Sequence, residues 1–331
     1  MISVHCNYEK HVLDTSTKAA HDGCVNAIMN TIRPTVGPAA SRTGWTCLTA
    51  FAPAVWGTTY IVTTHLLPDG HPFFAAMMRS LPAGLIALLV ARQLPRRDWW
   101  WKSLVLGTLN MGAFFPLLFI AAQHLPGGVA ATLGAVQPIV VAFAVIAILN
   151  EKLSTWRVWW GLAGMSGVAM VVLGPDAGLD AIGIGAGLAG AASMGVGVVL
   201  TKKWGRPDGV SAIGIAGWQL TAAGLVLVIP ALYLDGIPSG IDGPAALGYA
   251  WVGLVGALLT YTIWFAGIQR LPVTATALLG QLSPLVAALL GSVIAGEALN
   301  TIQLAGFAIA LTAMVAGQVT PPENTKAEVP S

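Results

Sequence analysis

The sequence predicts an all-α multi-pass membrane protein with ten transmembrane helices in two inverted five-helix repeats. Three observations predict it: scarce charge, apolar runs of spanning length, and an internal repeat. Only 9% of the 331 residues are charged, against about 25% in soluble domains, and 56% are hydrophobic. So few charges cannot cover a soluble globule of this size, so lipid must solvate most of the chain. The net charge of +2 is too small to indicate nucleic-acid binding.

The apolar runs give the individual helices. A helix needs about 20 apolar residues to cross a hydrocarbon core of about 30 Å. The predicted spans are 45–66, 73–91, 103–122, 127–149, 156–174, 181–201, 211–233, 245–268, 273–294 and 301–319. Residues 1–44 are polar and predict a cytoplasmic tail, for which Met29 is an alternative start that the sequence does not decide. Residues 320–331 predict a second cytoplasmic tail.

An internal repeat groups these spans into halves. A shift of 146 residues places 119–153 on 265–299 without a gap, and 13 of the 35 aligned positions are identical. The identities include Phe119/Phe265, Gln123/Gln269, Pro126/Pro272, Gly134/Gly280, Pro138/Pro284 and Glu151/Glu297. Because apolar composition alone does not align two prolines and a glutamate, we divide the chain into halves 45–174 and 181–319.

The charges orient the halves. Five is an odd number of crossings, so the second half must cross the membrane upside down relative to the first. With the N-terminus inside, fifteen of the sixteen basic residues fall on the inner side, and the outer loops carry acidic residues but no Lys or Arg. The positive-inside rule makes that side cytoplasmic. We therefore expect an inner-membrane protein with both termini in the cytoplasm.

Several of these features resemble the EamA family of the drug/metabolite transporter superfamily, over about 45–319. They are Trp56-Gly57 in the first helix, Pro72 to Arg79 opening the second, the Leu-Pro turn, proline and terminal glutamate of 126–151 and 272–297, and the Gly-rich fifth and tenth helices. The resemblance implies a carrier of small molecules, often an exporter of amino acids and other metabolites. It implies no cofactor, and the spacing of the three cysteines supports no metal site.

Two prolines predict irregular backbone at membrane depth. Pro138 and Pro284 lie near the centres of the fourth and ninth predicted helices and crowd the carbonyls of Gly134 and Gly280. Such backbone is tolerated only where protein or a water-lined cavity satisfies it. The prolines are interpreted either as a hinge or substrate contact at the midplane, or as tolerated packing kinks.

Arg79 is the only basic residue inside a span, where it could meet a substrate carboxylate, snorkel to the surface or cap a neighbouring helix. No Asp or Glu lies deep in a span, so the usual carboxylate of a proton relay is missing. Glu151 and Glu297 end helices and are predicted to be structural. With Arg79, the predicted substrate-binding residues are Trp56, Tyr60, Asn110, Phe114, Gln137, Trp218, Gln219, Tyr261, Trp264 and Gln281. Singly, each could face lipid or another helix; together they predict a polar and aromatic cavity.

These features predict a secondary active transporter, an exporter of small metabolites such as amino acids or drug-like compounds, working by alternating access around a midplane cavity. The expected partners are a small-molecule substrate and the lipid bilayer, and a homodimer is left open. Uptake by the same fold is one alternative. A membrane-embedded enzyme acting on lipids or isoprenoids is another, but it would need clustered Asp, Glu or His within the spans.

Overall fold

The computed structural model describes residues 42–125, 133–152, 154–172, 180–295 and 300–319, and these residues form helices without any strand. Nearly all of the first predicted tail, the whole second tail and Glu297 lie outside the described residues. The helices are α1 (Arg42–Leu66), α2 (Pro72–Ala91), α3 (Trp99–Gly107), α4 (Phe114–His124), α5 (Gln137–Leu149), α6 (Thr155–Val172), α7 (Ala181–Trp204), α8 (Ala212–Pro230), α9 (Gly243–Ala250), α10 (Thr260–Arg270), α11 (Val273–Leu279), α12 (Leu282–Ala295) and α13 (Thr301–Ala316).

Six helical segments of the described chain are long and apolar enough to cross a membrane. They are Pro72–Ala91, Trp99–Ala121, Ala181–Trp204, Ala212–Asp235, Gly243–Arg270 and Val273–Ile294, and the shorter apolar helices Gln137–Leu149 and Thr301–Ala316 accompany them. The chain is therefore a multi-pass membrane protein. The count of ten spans stays a prediction, although α1 and α6 also lie on predicted spans.

Side chains before several helices cap their first turns. The Asp180 carboxylate accepts from the Gly183 amide before α7, and the Ser211 hydroxyl oxygen accepts from the Gly214 amide before α8. Asn300 begins α13 with a capping box. Each cap satisfies an amide that the helix leaves without an internal acceptor, which fixes where the helix begins.

The packing of the helices keeps its pattern when the two predicted halves are exchanged. The first helix of the first half, α1, packs against α10 and α12 of the second half. The first helix of the second half, α7, packs against α4 and α5 of the first half. Two further packed pairs, α2 with α8 and α6 with α13, each join corresponding helices of the two halves, so exchanging the halves leaves them unchanged. The contacts of the first helix of each half are thus repeated by the first helix of the other.

Glycines allow the closest of these contacts. Where α6 crosses α13, a Cβ added to Gly167 would lie 2.7 Å from the Gly306 carbonyl oxygen and 2.7 Å from the Ala310 amide nitrogen. A Cβ on Gly306 would in turn lie 2.7 Å from the Gly167 carbonyl oxygen. The backbones therefore meet without side chains between them, as expected for the Gly-rich faces of the fifth and tenth predicted helices.

Two π-helical segments interrupt the third and eighth predicted spans. Thr108–Gly112 follows α3 and ends just before α4, and Trp251–Leu259 connects α9 to α10. The 146-residue shift of the repeat carries 108–112 onto 254–258, which lies inside the second segment. A π-helical turn displaces carbonyls from the regular α-helical ladder, and such turns are frequent at functional sites.

Candidate functional site

A cavity of about 170 Å³ lies in the interior of the helix bundle, where α1, α2, α4, α7 and α10 surround the helix breaks beside α5 and α12. It is lined by Trp56, Thr59, Thr63, Thr64, Arg79, Phe114, Leu118, Phe119, Gly134, Ala135, Gln137, Met194, Tyr261, Trp264, Gly280, Ser283 and Pro284. Both predicted halves contribute to this lining. The cavity is mostly apolar, with a few polar groups at defined places, as is typical of small-molecule sites.

Aromatic side chains form one wall of the cavity. The Trp56 ring centroid lies 5.0 Å from that of Tyr261 and 5.1 Å from that of Trp264. The Trp56 indole donates to the Gly256 carbonyl at 3.1 Å and to the Thr260 hydroxyl at 2.9 Å. These bonds tie α1 to the π-helical segment before α10 and hold the Trp56 ring in place.

Arg79 supplies a positive charge to the cavity and is 5% exposed. Its Nη2 donates to the Gly256 carbonyl at 3.0 Å, and its guanidinium carbon lies 4.3 Å from the Phe115 ring centroid. Gly256 therefore receives hydrogen bonds from both Trp56 and Arg79, at the π-helical segment. Arg79 is the one Lys or Arg, and no Asp or Glu occurs, among the described lining residues, so their formal charge is positive.

The two predicted proline kinks are helix breaks. In the second half, α11 ends at Leu279 and α12 begins at Leu282. The Gly280 carbonyl, expected to be left free by Pro284, instead accepts from the Ser283 amide at 3.1 Å in a tight turn. Pro284 thus stands in the first turn of a helix, where its missing amide costs nothing.

In the first half the same correction applies. Pro138 stands in the first turn of α5, after a turn in which the Val136 amide donates to the Leu133 carbonyl at 3.2 Å. Gly134 lines the cavity, whereas Pro138 is buried and is not among the lining residues. Discontinuous helices that meet at a cavity are a recurrent feature of transporter binding sites.

The cavity continues towards one end of the bundle. A second cavity, of about 320 Å³, shares Thr63, Thr64 and Phe119 with the first and is otherwise lined by residues of the segment from Leu67 to Ala75. That segment includes the loop between α1 and α2, which the sequence predicts to be outside. The two cavities together form a path from the interior to this end.

Hydrogen bonds join α7 to α10 at the other end. The Lys202 ammonium donates to the carbonyls of Ile268 and Gln269 at 2.9 Å and to that of Leu271 at 3.1 Å. The Gln269 amide returns a bond to the Thr201 carbonyl at 2.8 Å. We call this set of residues the Lys202 clasp. It lies at the turn after α10, which the sequence predicts to be inside.

Two of the predicted substrate-binding residues form a separate buried cluster. The Asn110 amide donates to the Gln219 carbonyl oxygen at 2.9 Å and to the Thr201 hydroxyl at 3.2 Å. All three side chains are buried, and none lines the cavity. The cluster joins the π-helical segment after α3 to α7 and α8.

Two more predicted substrate-binding residues, Trp218 and Gln281, lie outside the cavity lining. The Trp218 indole donates to the Gln93 carbonyl at 2.7 Å, outside the cavity lining. Gln281 packs against α6, where its amide donates to the Gly161 carbonyl at 3.4 Å. The side chain of Tyr60 lies outside the described part of the structure, and Glu151 is exposed at the end of α5.

The cavity therefore brings together Trp56, Arg79, Phe114, Gln137, Tyr261, Trp264, Gly134, Gly280 and Pro284 of the predicted residues. Thr59, Thr63, Thr64, Leu118, Phe119, Met194 and Ser283 also line it and were missed by sequence reasoning. Thr59 and Thr63 follow Trp56 by three and seven residues, which places all three on one helix face. This spacing could have predicted Thr59 and Thr63 as lining residues from the sequence.

A model of the EamA-like transporter family matches residues 44–173 and again 181–316. The chain belongs to this family. Protein PecM of Dickeya dadantii is 40% identical over 265 residues, covering 80% of this chain and 89% of that protein. The uncharacterized inner membrane transporter YedA of Escherichia coli K12 is 28% identical over 273 residues, covering 79% and 86%.

A solved crystal structure has a similar fold, with a TM-score of 0.67 and 21% sequence identity. The similarity covers 84% of this chain and 98% of the other. At this identity the match shows a common fold alone. The family match and the named relatives together show that the chain is a transporter of the drug/metabolite type.

Proposed function

We propose that this protein is a secondary active exporter of a small metabolite, which it moves by alternating access around the interior cavity. The observation that carries the proposal is a cavity that continues to one end of the bundle while the Lys202 clasp joins helices at the other end. A carrier must present its site to one side at a time, and a structure open at one end suits one of its two states.

The exchangeable packing of the two halves supports this mechanism. The helix contacts of one predicted half recur in the other, and the π-helical segments overlap after the 146-residue shift. Two arrangements of similar energy are natural when inverted halves can exchange conformations, because what closes one end in one state has a counterpart at the other end. The two family matches along the chain are consistent with such halves.

The proposed topology and membrane are supported by the charge distribution and by the relatives. Fifteen of the sixteen basic residues lie on the inner side of the proposed topology, which supports cytoplasmic termini. YedA is named as an inner membrane transporter, which supports the inner membrane as the location. We propose outward transport, with uptake as the alternative that a direction measurement decides.

The transport proposal is tested by reconstituting the purified full chain into liposomes with imposed pH and Na⁺ gradients. Movement of at least one solute from a broad metabolite panel, faster than in protein-free vesicles, is the expected result. If no solute crosses faster than in protein-free vesicles, the carrier proposal fails. Movement only towards the cytoplasmic side of oriented vesicles would replace export by uptake.

Topology has its own test. Reporter fusions after residues 69, 124 and 178 are expected to report the outside, since these positions lie in predicted outer segments. A cytoplasmic signal at any one of these positions would contradict the inverted topology. The fusions need no substrate, so they test the topology independently of the transport assay.

A further inference from the structure

Gln93 joins two loops at the predicted inner end of the bundle. Its side-chain amide donates to the Gly209 carbonyl at 2.8 Å, and its side-chain oxygen accepts from the Ser211 amide and hydroxyl at 2.9 Å. Its backbone carbonyl accepts from the Trp218 indole at 2.7 Å. We call residues 92–104 and 205–211, the two loops with the start of α3, the Gln93 surface. These hydrogen bonds give the surface a defined shape before any partner binds, which lowers the entropic cost of binding.

The Gln93 surface has a positive charge that its own acidic residues do not neutralise. Its exposed basic residues are Arg92, Arg96, Arg97 and Arg206. Its acidic residues are Asp98 and Asp208, and the Asp98 carboxylate already forms an ion pair with Lys102. No ion pair joins any of the four arginines to another residue of the described structure. The surface therefore favours an external anion.

Other basic side chains at this end are bound within the protein. The Lys202 ammonium donates to three carbonyls in the Lys202 clasp. The Arg270 guanidinium carbon lies 4.0 Å from the Trp45 ring centroid, and its Nη1 donates to the Ala266 carbonyl at 3.1 Å. The side chains of the four arginines make no such hydrogen bond or ring contact within the described residues, so they are available to a partner.

Exposed apolar side chains lie beside these arginines. Trp100 is 60% exposed, and Leu104, one turn later on the same helix face, is 48% exposed. Leu94, in the loop itself, is 61% exposed. The buried Trp99 ring lies 5.8 Å from that of Trp218, which fixes the start of α3 against α8. Tryptophans at a membrane interface lie at the level of the lipid headgroups, so a lipid here would meet both kinds of side chain.

We propose that the Gln93 surface binds an anionic phospholipid of the cytoplasmic leaflet, with its phosphate at Arg96 and Arg97 and an acyl chain along Trp100 and Leu104. Guanidinium groups bind phosphate oxygens through paired hydrogen bonds. A soluble phosphate would leave the apolar side chains uncovered, and a zwitterionic lipid would bring a cation to a positive surface. The surface shares no residue with the interior cavity, so the proposal is independent of the transported solute. It rests on the proposed topology only for the choice of leaflet.

A lipid titration followed by native mass spectrometry tests the proposal. The purified full chain in detergent would be titrated with phosphatidylglycerol and with phosphatidylcholine of the same acyl chains. We expect phosphatidylglycerol to bind at least about tenfold more tightly, because each Lys or Arg near a membrane surface strengthens the attraction of anionic lipid. Equal affinities for the two lipids would overturn the proposal. Displacement of phosphatidylglycerol by millimolar inorganic phosphate would replace the lipid site with a site for soluble anions and would also overturn it.

Charge variants locate the headgroup. Arg96→Gln and Arg97→Gln are each expected to weaken phosphatidylglycerol binding about fivefold and to leave phosphatidylcholine binding unchanged. Lys152→Gln is the matched control, since it removes one exposed positive charge from the α5–α6 loop on the same predicted side, and it should bind both lipids like the wild type. Equal losses in all three variants would mean that net charge alone attracts the lipid. That result, or no loss in either arginine variant, would overturn the assignment.

Trp100→Ser tests the acyl-chain part of the surface. It removes apolar contact without changing the charge, so both lipids should bind about threefold more weakly while the preference for phosphatidylglycerol stays at the wild-type value. Unchanged affinities would remove α3 from the site and overturn the placement of the lipid. Arg96, Arg97 and Trp100 are all exposed, so size-exclusion profiles and thermal midpoints in lipid-free detergent should match those of the wild type.

Discussion

At the scale of single residues, the Asn110 cluster joins three helical segments without touching the cavity. The Asn110 amide bridges Gln219 and Thr201, and a Cβ added to Gly197 would overlap the Asn110 side-chain oxygen. Hydrogen bonds between membrane helices contribute about 1 kcal/mol each. The physical role of Asn110 here is to fix how α7 and α8 meet the π-helical segment.

Asn110→Ala is therefore expected to lower stability by about 1–2 kcal/mol, because it removes two bonds and leaves Gln219 without its donor. Affinity for the transported solute should stay at the wild-type value. The thermal midpoint in detergent and the dissociation constant measure the two effects separately. Ser166→Ala removes an exposed hydroxyl bonded within its own helix and serves as the control. A large loss of affinity at unchanged stability would return Asn110 to the binding site.

Gln137 and Gln281 show how far the sequence predicts single residues of the cavity lining. Both stand beside the repeated proline, and both were predicted to bind substrate. Gln137 precedes Pro138 by one residue, whereas Gln281 precedes Pro284 by three. Gln281 lies in the break between α11 and α12, and its amide donates to the Gly161 carbonyl of α6. Gln137 lines the cavity, and the position that matches it in the second half is Ser283, which also lines it.

At the scale of helices, the crossing of α6 and α13 depends on two glycines. Gly167 and Gly306 place backbone against backbone, and the Gln303 amide of α13 also donates to the Val171 carbonyl at 3.2 Å. Lipid tails are as apolar as helix surfaces, so close packing and hydrogen bonds hold such a pair together.

Gly167→Ala is expected to destabilise the protein by about 1–3 kcal/mol, because the new methyl group would overlap the backbone of α13. Gly185→Ala is the matched control, since a Cβ at Gly185 meets nothing within 4 Å. Thermal midpoints of the purified variants should fall for the first and not for the second. Equal midpoints would mean that the two helices can separate at little cost.

The helix breaks and π-helical segments mark the limit of prediction at this scale. The repeated prolines correctly indicated irregular backbone, since Pro138 and Pro284 follow the turns beside the cavity. Their form was not predicted, because a proline is as compatible with the first turn of a new helix as with a kink. The segments Thr108–Gly112 and Trp251–Leu259 carry no proline and depend on partners from other helices, such as Trp56 and Ser193.

At the scale of the whole molecule, the two ends of the bundle differ. The cavity continues towards the loop between α1 and α2, while the Lys202 clasp joins α7 to the turn after α10. Three charged hydrogen bonds hold this second end, and hydrogen bonds to charged groups contribute about 1.5–3 kcal/mol. In an alternating-access carrier these bonds must break when the cavity opens to the other side.

Lys202→Gln should therefore open the second end more often. The readout is the rate at which a membrane-permeant maleimide labels a single cysteine at Ala266, a residue of the small cavity beside the clasp, in a chain whose native cysteines are changed to Ser. If the free energy that favours the closed second end falls by about 1.4 kcal/mol, labelling should be about tenfold faster. The matched control is Lys203→Gln, since Lys203 is the next residue and is exposed.

The two substitutions remove the same charge from neighbouring positions, so any effect of net charge on reagent or lipid is shared. Only the Lys202 change removes bonds to Ile268, Gln269 and Leu271. Faster labelling in Lys202→Gln with wild-type labelling in Lys203→Gln would tie closure to the clasp. Equal rates in both variants and the wild type would mean that apolar packing alone closes this end, and the clasp would have no part in alternation.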